Sequence, residues 1–212
     1  EQGFHSQILA ASGRTADDLA MVLAVRESAG DRVELRLDGR AGYDMASARD
    51  LASELEYSRL QFFLDPLAGT TMHEVAALGR QTSVPLGLCR SLQAPADVLA
   101  LVRSGAARFA AIDIARVGGL TAARKCAAVA EAAGVRASLG CGCSPGLGAA
   151  AMLQLAAATP ALASCNECGY HQLHDDVLAD PLEIIDGMMT VPQGPGLGVE
   201  VDRAKIERHL VL

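Results

Sequence analysis

Cysteine carries the densest potential chemistry in this sequence. Cys89, Cys141, Cys143, Cys165 and Cys168 each fall at or just past the end of a short apolar run. A fold that gathers those ends therefore gathers the thiols. A Cys-x-Cys followed by a Cys-x-x-Cys is a thiolate set that Zn²⁺ or an iron–sulfur cluster accepts. The plainer reading makes the same residues small apolar filler in an alanine-rich core. Cys126 sits inside a helical stretch and belongs to packing. His171 and His174 follow the last apolar run and read as loop histidines near any site formed there. Asp175-Asp176 reads as a solvated turn, and Gly118-Gly119 as tight strand-to-helix packing.

One pattern positions these residues. A short β-rich apolar run is followed by a Gly, Pro or Ser break and then by an amphipathic stretch rich in Ala and Leu. The runs are His5–Ala11, Val33–Leu37, Leu60–Leu64, Val84–Leu88, Phe109–Ile114, Val135–Leu139 and, more weakly, Leu162–Asn166. The helical stretches are Ala16–Ala29, Met45–Glu56, Met72–Arg80, Pro95–Ser104, Thr121–Ala133 and Leu147–Ala158. Thr70 and Thr121 stand where N-caps belong, and Gly105 and Gly134 where C-caps belong. Strict alternation implies a parallel sheet with right-handed crossovers. Seven units spaced by roughly 25–30 residues predict an α/β fold of the (β/α) barrel type. Either its first strand lies upstream of Glu1 or the barrel is incomplete; the former is expected, because a missing strand would leave an unpaired apolar edge, and Glu1-Gln2-Gly3 reads as the end of a helix. The barrel is assigned to residues 1–182. Residues 183–212 form a tail, with a hairpin at Glu183–Val191 around Asp186-Gly187, a Pro/Gly-rich loop and a short helix, Arg203–His209, capped by Asp202.

Composition narrows the partners. Half of the 212 residues are hydrophobic but only 3% are aromatic and none is Trp, so Ala, Leu, Val and Ile must build the core. A net charge of -7 argues against nucleic acid and anionic membranes, which want basic stripes. No apolar run is long enough to span a bilayer. Six cysteines in a chain of this length do not suggest a disulfide scaffold, and a cytoplasmic setting is the default.

Four segments carry a family resemblance: Val25-Arg26-Glu27-Ser28-Ala29-Gly30, Leu37-Asp38-Gly39, Arg116-Val117-Gly118-Gly119-Leu120-Thr121 and Pro192-Gln193-Gly194-Pro195-Gly196-Leu197-Gly198-Val199. In order and spacing the chain resembles the C-terminal barrel domain of the enolase superfamily, in its mandelate racemase/muconate lactonizing branch. The resemblance implies an N-terminal capping domain for the tail to pack on. It also implies a Mg²⁺ ion held by three carboxylates at consecutive strand ends, where it stabilises the enediolate formed when a base removes a proton beside a carboxylate.

Position by position, the implied set is thin. Asp38 matches the first metal ligand, and Arg40 stands where an Asn is usual. Leu64 occupies the place of the second ligand, two residues before Pro66; Cys89 and Arg90 replace the Asp-Glu pair that supplies the third. Asp65 is set aside, because neighbouring strand residues point to opposite faces. The Lys-x-Lys of the second barrel strand aligns near Ile8 and Ala10. Asp113 matches the Asp of a His–Asp dyad whose His would lie near Gly140, and Glu167 matches an electrophilic strand-end Glu.

Three readings follow. The first is a superfamily relative that has lost Mg²⁺-dependent proton abstraction and keeps an anion-binding or structural pocket. There Arg90 points at Asp38 in place of the metal's charge, or Arg90 and Arg40, beside Cys89 and Cys141, grip a small carboxylate or other anion. The second is a working isomerase or lyase (racemase, epimerase or acid-sugar dehydratase) acting on a carboxylate through Asp113, Glu167 and Arg90. It needs no cofactor, or Mg²⁺ only at a non-standard site that includes Asp38. The third is the thiol-liganded metal or redox protein. A homo-oligomer is expected in each case.

Overall fold

The computed structural model describes residues 3–69, 71–140, 144–162 and 165–208. Six strands, β1 (Ser6–Ala10), β2 (Glu34–Asp38), β3 (Leu60–Leu64), β4 (Leu86–Leu88), β5 (Phe109–Asp113) and β6 (Arg136–Gly140), form one parallel sheet in sequential order. Between them run α1 (Thr15–Ala29), α2 (Met45–Glu54), α3 (Met72–Gly79), α4 (Pro95–Ser104) and α5 (Leu120–Ala132), and α6 (Gly146–Ala157) follows β6. Consecutive right-handed crossovers place all helices on one face of such a sheet. The result is a half-barrel with an outer helical layer.

Side-chain parity sorts the core into two parts. The outer face carries Leu35, Leu37, Phe63, Ile112 and Leu139, packed with Val22, Leu51, Leu78, Leu101 and Cys126 of the helices. The inner face carries a separate cluster of Phe62, Leu64, Phe109 and Ala111, against which Ile8 and Cys89 pack. One register slip makes this possible. Leu35 pairs with Leu60 but Arg36 pairs with Phe62, so Gln61 is an extra residue in β3. The bulge lets Leu60 face the helices while Phe62 and Leu64 face inward.

Helix ends follow local chemistry. Thr71 and Glu74 form a reciprocal capping box at α3, and Asp44 caps α2 by accepting from Ser47 N at 2.8 Å. Thr70 lies outside the described residues. Thr121 is not a cap: α5 begins one residue before it, with Gly119 at φ 109° as the N-cap. Gly105 ends α4 in the left-handed conformation, as its position predicts.

Among the described residues of the weak seventh run, no strand forms. Pro160–Leu162 forms a 3₁₀ turn, and the chain then rejoins the sheet edge through a single parallel bridge, Gly140 to Glu167. The Leu139 amide, which a strand carbonyl would take, instead donates to Asn166 Oδ1 at 2.7 Å. A side chain thus competes with the ladder. The expected hairpin is present: β7 (Ile184–Ile185) pairs antiparallel with β8 (Met188–Met189), and both Asp186 and Gly187 have positive φ. Asp202 caps α7 (Arg203–Arg208) by accepting from Ala204 N. Gln154 of α6 holds the Pro/Gly loop by donating to Pro192 O and Leu197 O. Asp176 is no solvated turn residue. It accepts from Gly146 N at the start of α6, from Val177 N and from the Tyr170 hydroxyl.

A buried acid ties β1 to the loop after β2. Asp18, on the inner side of α1, accepts from Ser12 N at 2.8 Å, Gly13 N at 3.0 Å and the Tyr43 hydroxyl. Burial alone would raise its pKa, but these donors outweigh it and hold the carboxyl below its usual range. Asp18→Ala orphans three donors and is expected to cost about 3 kcal/mol in chemical denaturation. Because the folded pKa is depressed, Asp18 contributes fully above its unfolded value of 3.8 and loses that contribution as pH falls below it. The gap between variant and wild type should therefore narrow in acid.

Candidate functional site

Parallel pairing lines up one residue per strand at the C-terminal ends of the inner face. Ala10 pairs with Asp38, Asp38 with Leu64, Asp113 with Gly140, and Gly140 bridges to Glu167. Cys89, just beyond β4, packs on the inner cluster between them. The positions that the sequence singled out as Asp38, Cys89, Asp113 and Glu167 are thus brought to one rim. Cys141 and Cys143 lie outside the described residues.

The turn after β2 is tightly wound. Arg40 and Ala41 both have left-handed backbones, at φ 54° and 56°, which is costly for residues with a Cβ. That turn aims the Arg40 amide at Asp38 Oδ1, 2.8 Å away. The Arg40 side chain itself is exposed. Asp113 is likewise engaged by its own loop, accepting from Ala115 N at 2.9 Å and Arg116 N at 3.2 Å, with Arg116 Nε at 3.9 Å.

Arg90 departs from expectation. Its ion-pair partner is Asp65, at 3.9 Å, rather than Asp38, and half of the side chain is in solvent. The cause lies in Asp65. Its positive φ of 41° breaks strand alternation, and its buried carboxylate accepts from Cys89 N at 2.9 Å and Arg90 N at 3.0 Å. Asp65 therefore clamps the end of β4, and Arg90 leans over it. Burial, opposed by those two amides and reinforced by the nearby charge of Asp38, leaves the Asp65 pKa raised.

A three-carboxylate Mg²⁺ set does not fit these residues. Leu64, at the second position, is buried among Phe62, Phe109 and Ala111. Cys89, at the third, has its thiol pushed up to about 12 by burial and by the charges of Asp65 and Asp113. A neutral thiol is a poor ligand for a hard cation. Asp65 spends both carboxylate oxygens on amides. Among the described residues, no three His, Cys, Asp or Glu side chains are grouped as a metal site. Cys165 is exposed and Cys126 is buried in α5.

The sequence does not single out Arg36, yet it dominates the interior. It lies on the inner face of β2, its guanidinium 5.1 Å from the centre of the Phe62 ring and 5.8 Å from that of Phe109. The two rings stack at 4.0 Å. The available signal was a charged residue inside an apolar run with the same parity as Asp38. A cavity of about 800 Å³ opens beside Arg36, between β1 and residues 165–169, and reaches Asp38 and Glu167. His171 stacks on Phe4 at its edge, with centroids 5.0 Å apart. Burial and the Asp38 charge raise the pKa of Glu167, against the pull of Arg36.

Cys89 makes this electrostatic picture testable. With a pKa near 12, about one thiol in ten thousand is ionised at pH 8. Iodoacetamide at pH 8 should therefore modify exposed Cys165 well before Cys89, as followed by peptide mass spectrometry.

Comparison with known proteins places this geometry in context. A family model described as enolase C-terminal domain-like matches residues 1–205. Muconate cycloisomerase 1 of Rhodococcus opacus is 30% identical over 188 residues, covering 88% of this chain and 50% of that protein. The chain spans about half the length of the curated relatives it matches. An isomerase from Streptomyces coelicolor A3(2) superposes with a TM-score of 0.90 at 29% identity, over 98% of this chain and 55% of its own. A mandelate racemase/muconate lactonizing family protein from Azoarcus sp. EbN1 gives 0.89 at 27% identity, over 98% of this chain and 58% of its own.

Proposed function

The chain belongs to the enolase C-terminal domain-like family, and from that premise we propose that it keeps the barrel and an internal small-molecule pocket without Mg²⁺-dependent proton abstraction. The observation that carries this reading is Leu64. Where the resemblance implies a metal carboxylate, an apolar side chain completes a packed cluster with two phenylalanines. Cys89 supports it with a thiol that stays protonated, and Ile8 and Ala10 with the absence of amines on β1. On this reading, the buried positive charge facing Asp38 and Glu167 is Arg36 rather than a metal or Arg90. The half-barrel closes with a strand contributed from outside residues 3–208, and residues 183–208 pack on a capping domain.

Titration with MgCl₂ by calorimetry tests this. No saturable binding is expected in the millimolar range, and Asp38→Ala should leave the isotherm unchanged. Tight binding that disappears in Asp38→Ala defeats the reading.

One observation favours a second reading, an isomerase or lyase acting on a carboxylate substrate. Glu167 lines the cavity, and burial and the Asp38 charge raise its pKa, the direction that suits a general acid. On that reading, exchange of a substrate α-proton with D₂O, followed by NMR, is lost in Glu167→Gln.

A further inference from the structure

We propose that residues 200–208 form a strap that holds the turn after Glu167 and the start of α6 through one carboxylate, Asp176, so that whatever seats on the tail is felt at both. The strap grips residues 177–179 by backbone and by charge. Ala179 N donates to Glu200 O at 3.0 Å, Asp202 N donates to Val177 O at 2.9 Å, and Leu178 and Val201 form an antiparallel bridge. From α7, Lys205 Nζ donates to Leu178 O, and an ammonium donor makes this the strongest of the set. Arg208 adds an ion pair to Asp175 at 3.7 Å.

Asp176, one residue before the gripped segment, turns into the fold. Its Oδ1 takes Gly146 N, the first amide of α6, at 2.8 Å, and its Oδ2 takes the Tyr170 hydroxyl at 2.8 Å. The Tyr170 oxygen accepts in turn from Leu182 N at 3.1 Å, so a chain of hydrogen bonds ends on the carboxylate. Tyr170 opens the 3₁₀ turn Tyr170–Gln172, three residues after Glu167. Leu178 is fully buried beside Gly146, where any Cβ would collide with it and with the Asp176 carboxylate. A shift of residues 176–178 therefore displaces the start of α6 and the turn after Glu167 together. Both carry walls of the cavity, Met152 and Leu153 on α6 and Glu167 before the turn. The strap's access to a partner rests on the reading that residues 183–208 pack on a capping domain. The relay itself lies within this chain and is tested on it alone.

Amide hydrogen exchange followed by NMR is the test. Lys205→Met removes the ammonium and keeps the stem. Exchange at the Gly146 and Leu182 amides is expected to quicken roughly tenfold, the factor that one charge-assisted hydrogen bond carries, with the β2 and β3 amides unchanged. Lys205→Arg, which keeps a cationic donor, should restore most of the protection. Asp176→Asn should quicken the same two amides, and adding Lys205→Met to it should quicken them no further. If Asp176→Asn fails to fold by circular dichroism, Tyr170→Phe takes its place in the cycle, read at Leu182. The proposal is overturned if Lys205→Met loosens only Ala179 and Asp202, if β2 and β3 loosen equally, or if the effects of the two variants multiply. Saturable Mg²⁺ binding would defeat the preceding reading and has no bearing on these exchange rates.

Discussion

The guanidinium of Arg36 lies over the Phe62–Phe109 stack, on the inner face of a sheet whose outer face is apolar and packed against helices. That contact brings β2, β3 and β5 together across the interior, so the curvature of the sheet and the depth of the cavity share one anchor. A delocalised, weakly hydrated cation tolerates an aromatic face better than an ammonium would. The bulge at Gln61 makes it possible twice over: it turns Phe62 inward beneath the guanidinium and supplies the acceptor for Arg36 Nε. Gln61 in turn donates to Glu34, carrying the charge toward the opposite end of the strands.

Around this anchor the rim carboxylates are held by backbone amides. Asp38 and Asp113 accept amides from the loops beyond their own strands, and Asp65 accepts those of Cys89 and Arg90 just beyond β4. Three carboxylates that look available in one dimension are thus partly spent on fixing turns. Glu167 and Arg36 line the same cavity.

Most of the layer architecture was legible in the sequence, because period-two and 3.6-residue patterns alternate cleanly from Ser6 to Ala157. The hairpin was legible from Asp186-Gly187, a pair that accepts positive φ. The apolar content of Leu162–Asn166 says strand, whereas among its described residues Leu162 ends a 3₁₀ turn and the Asn166 side chain takes the Leu139 amide. The parity of Asp38, Leu64, Cys89 and Glu167 could be counted along the strands. The direction of Arg90 could not, because it depends on the left-handed backbone of Asp65, a conformation that residue type barely signals. Arg36 stayed hidden for a related reason. Its parity with Asp38 marks it as inward, but the stacked Phe62 and Phe109 rings that receive it are set by the bulge in β3, which residue types do not signal.

Leu64 also bears on how sequences of this kind can interconvert. Any route between this chain and one with a carboxylate at position 64 buries a charge in the apolar cluster of Phe62 and Phe109, a desolvation cost that the Arg36 guanidinium over those rings offsets only in part. Placing Asp at position 89 first adds a further acid near Asp65 and Asp113. Each single step is uphill, and only the combined change with a bound cation levels the path. A hydrophobic residue at one strand end thus acts as a ratchet, making the present arrangement easier to elaborate than to reverse.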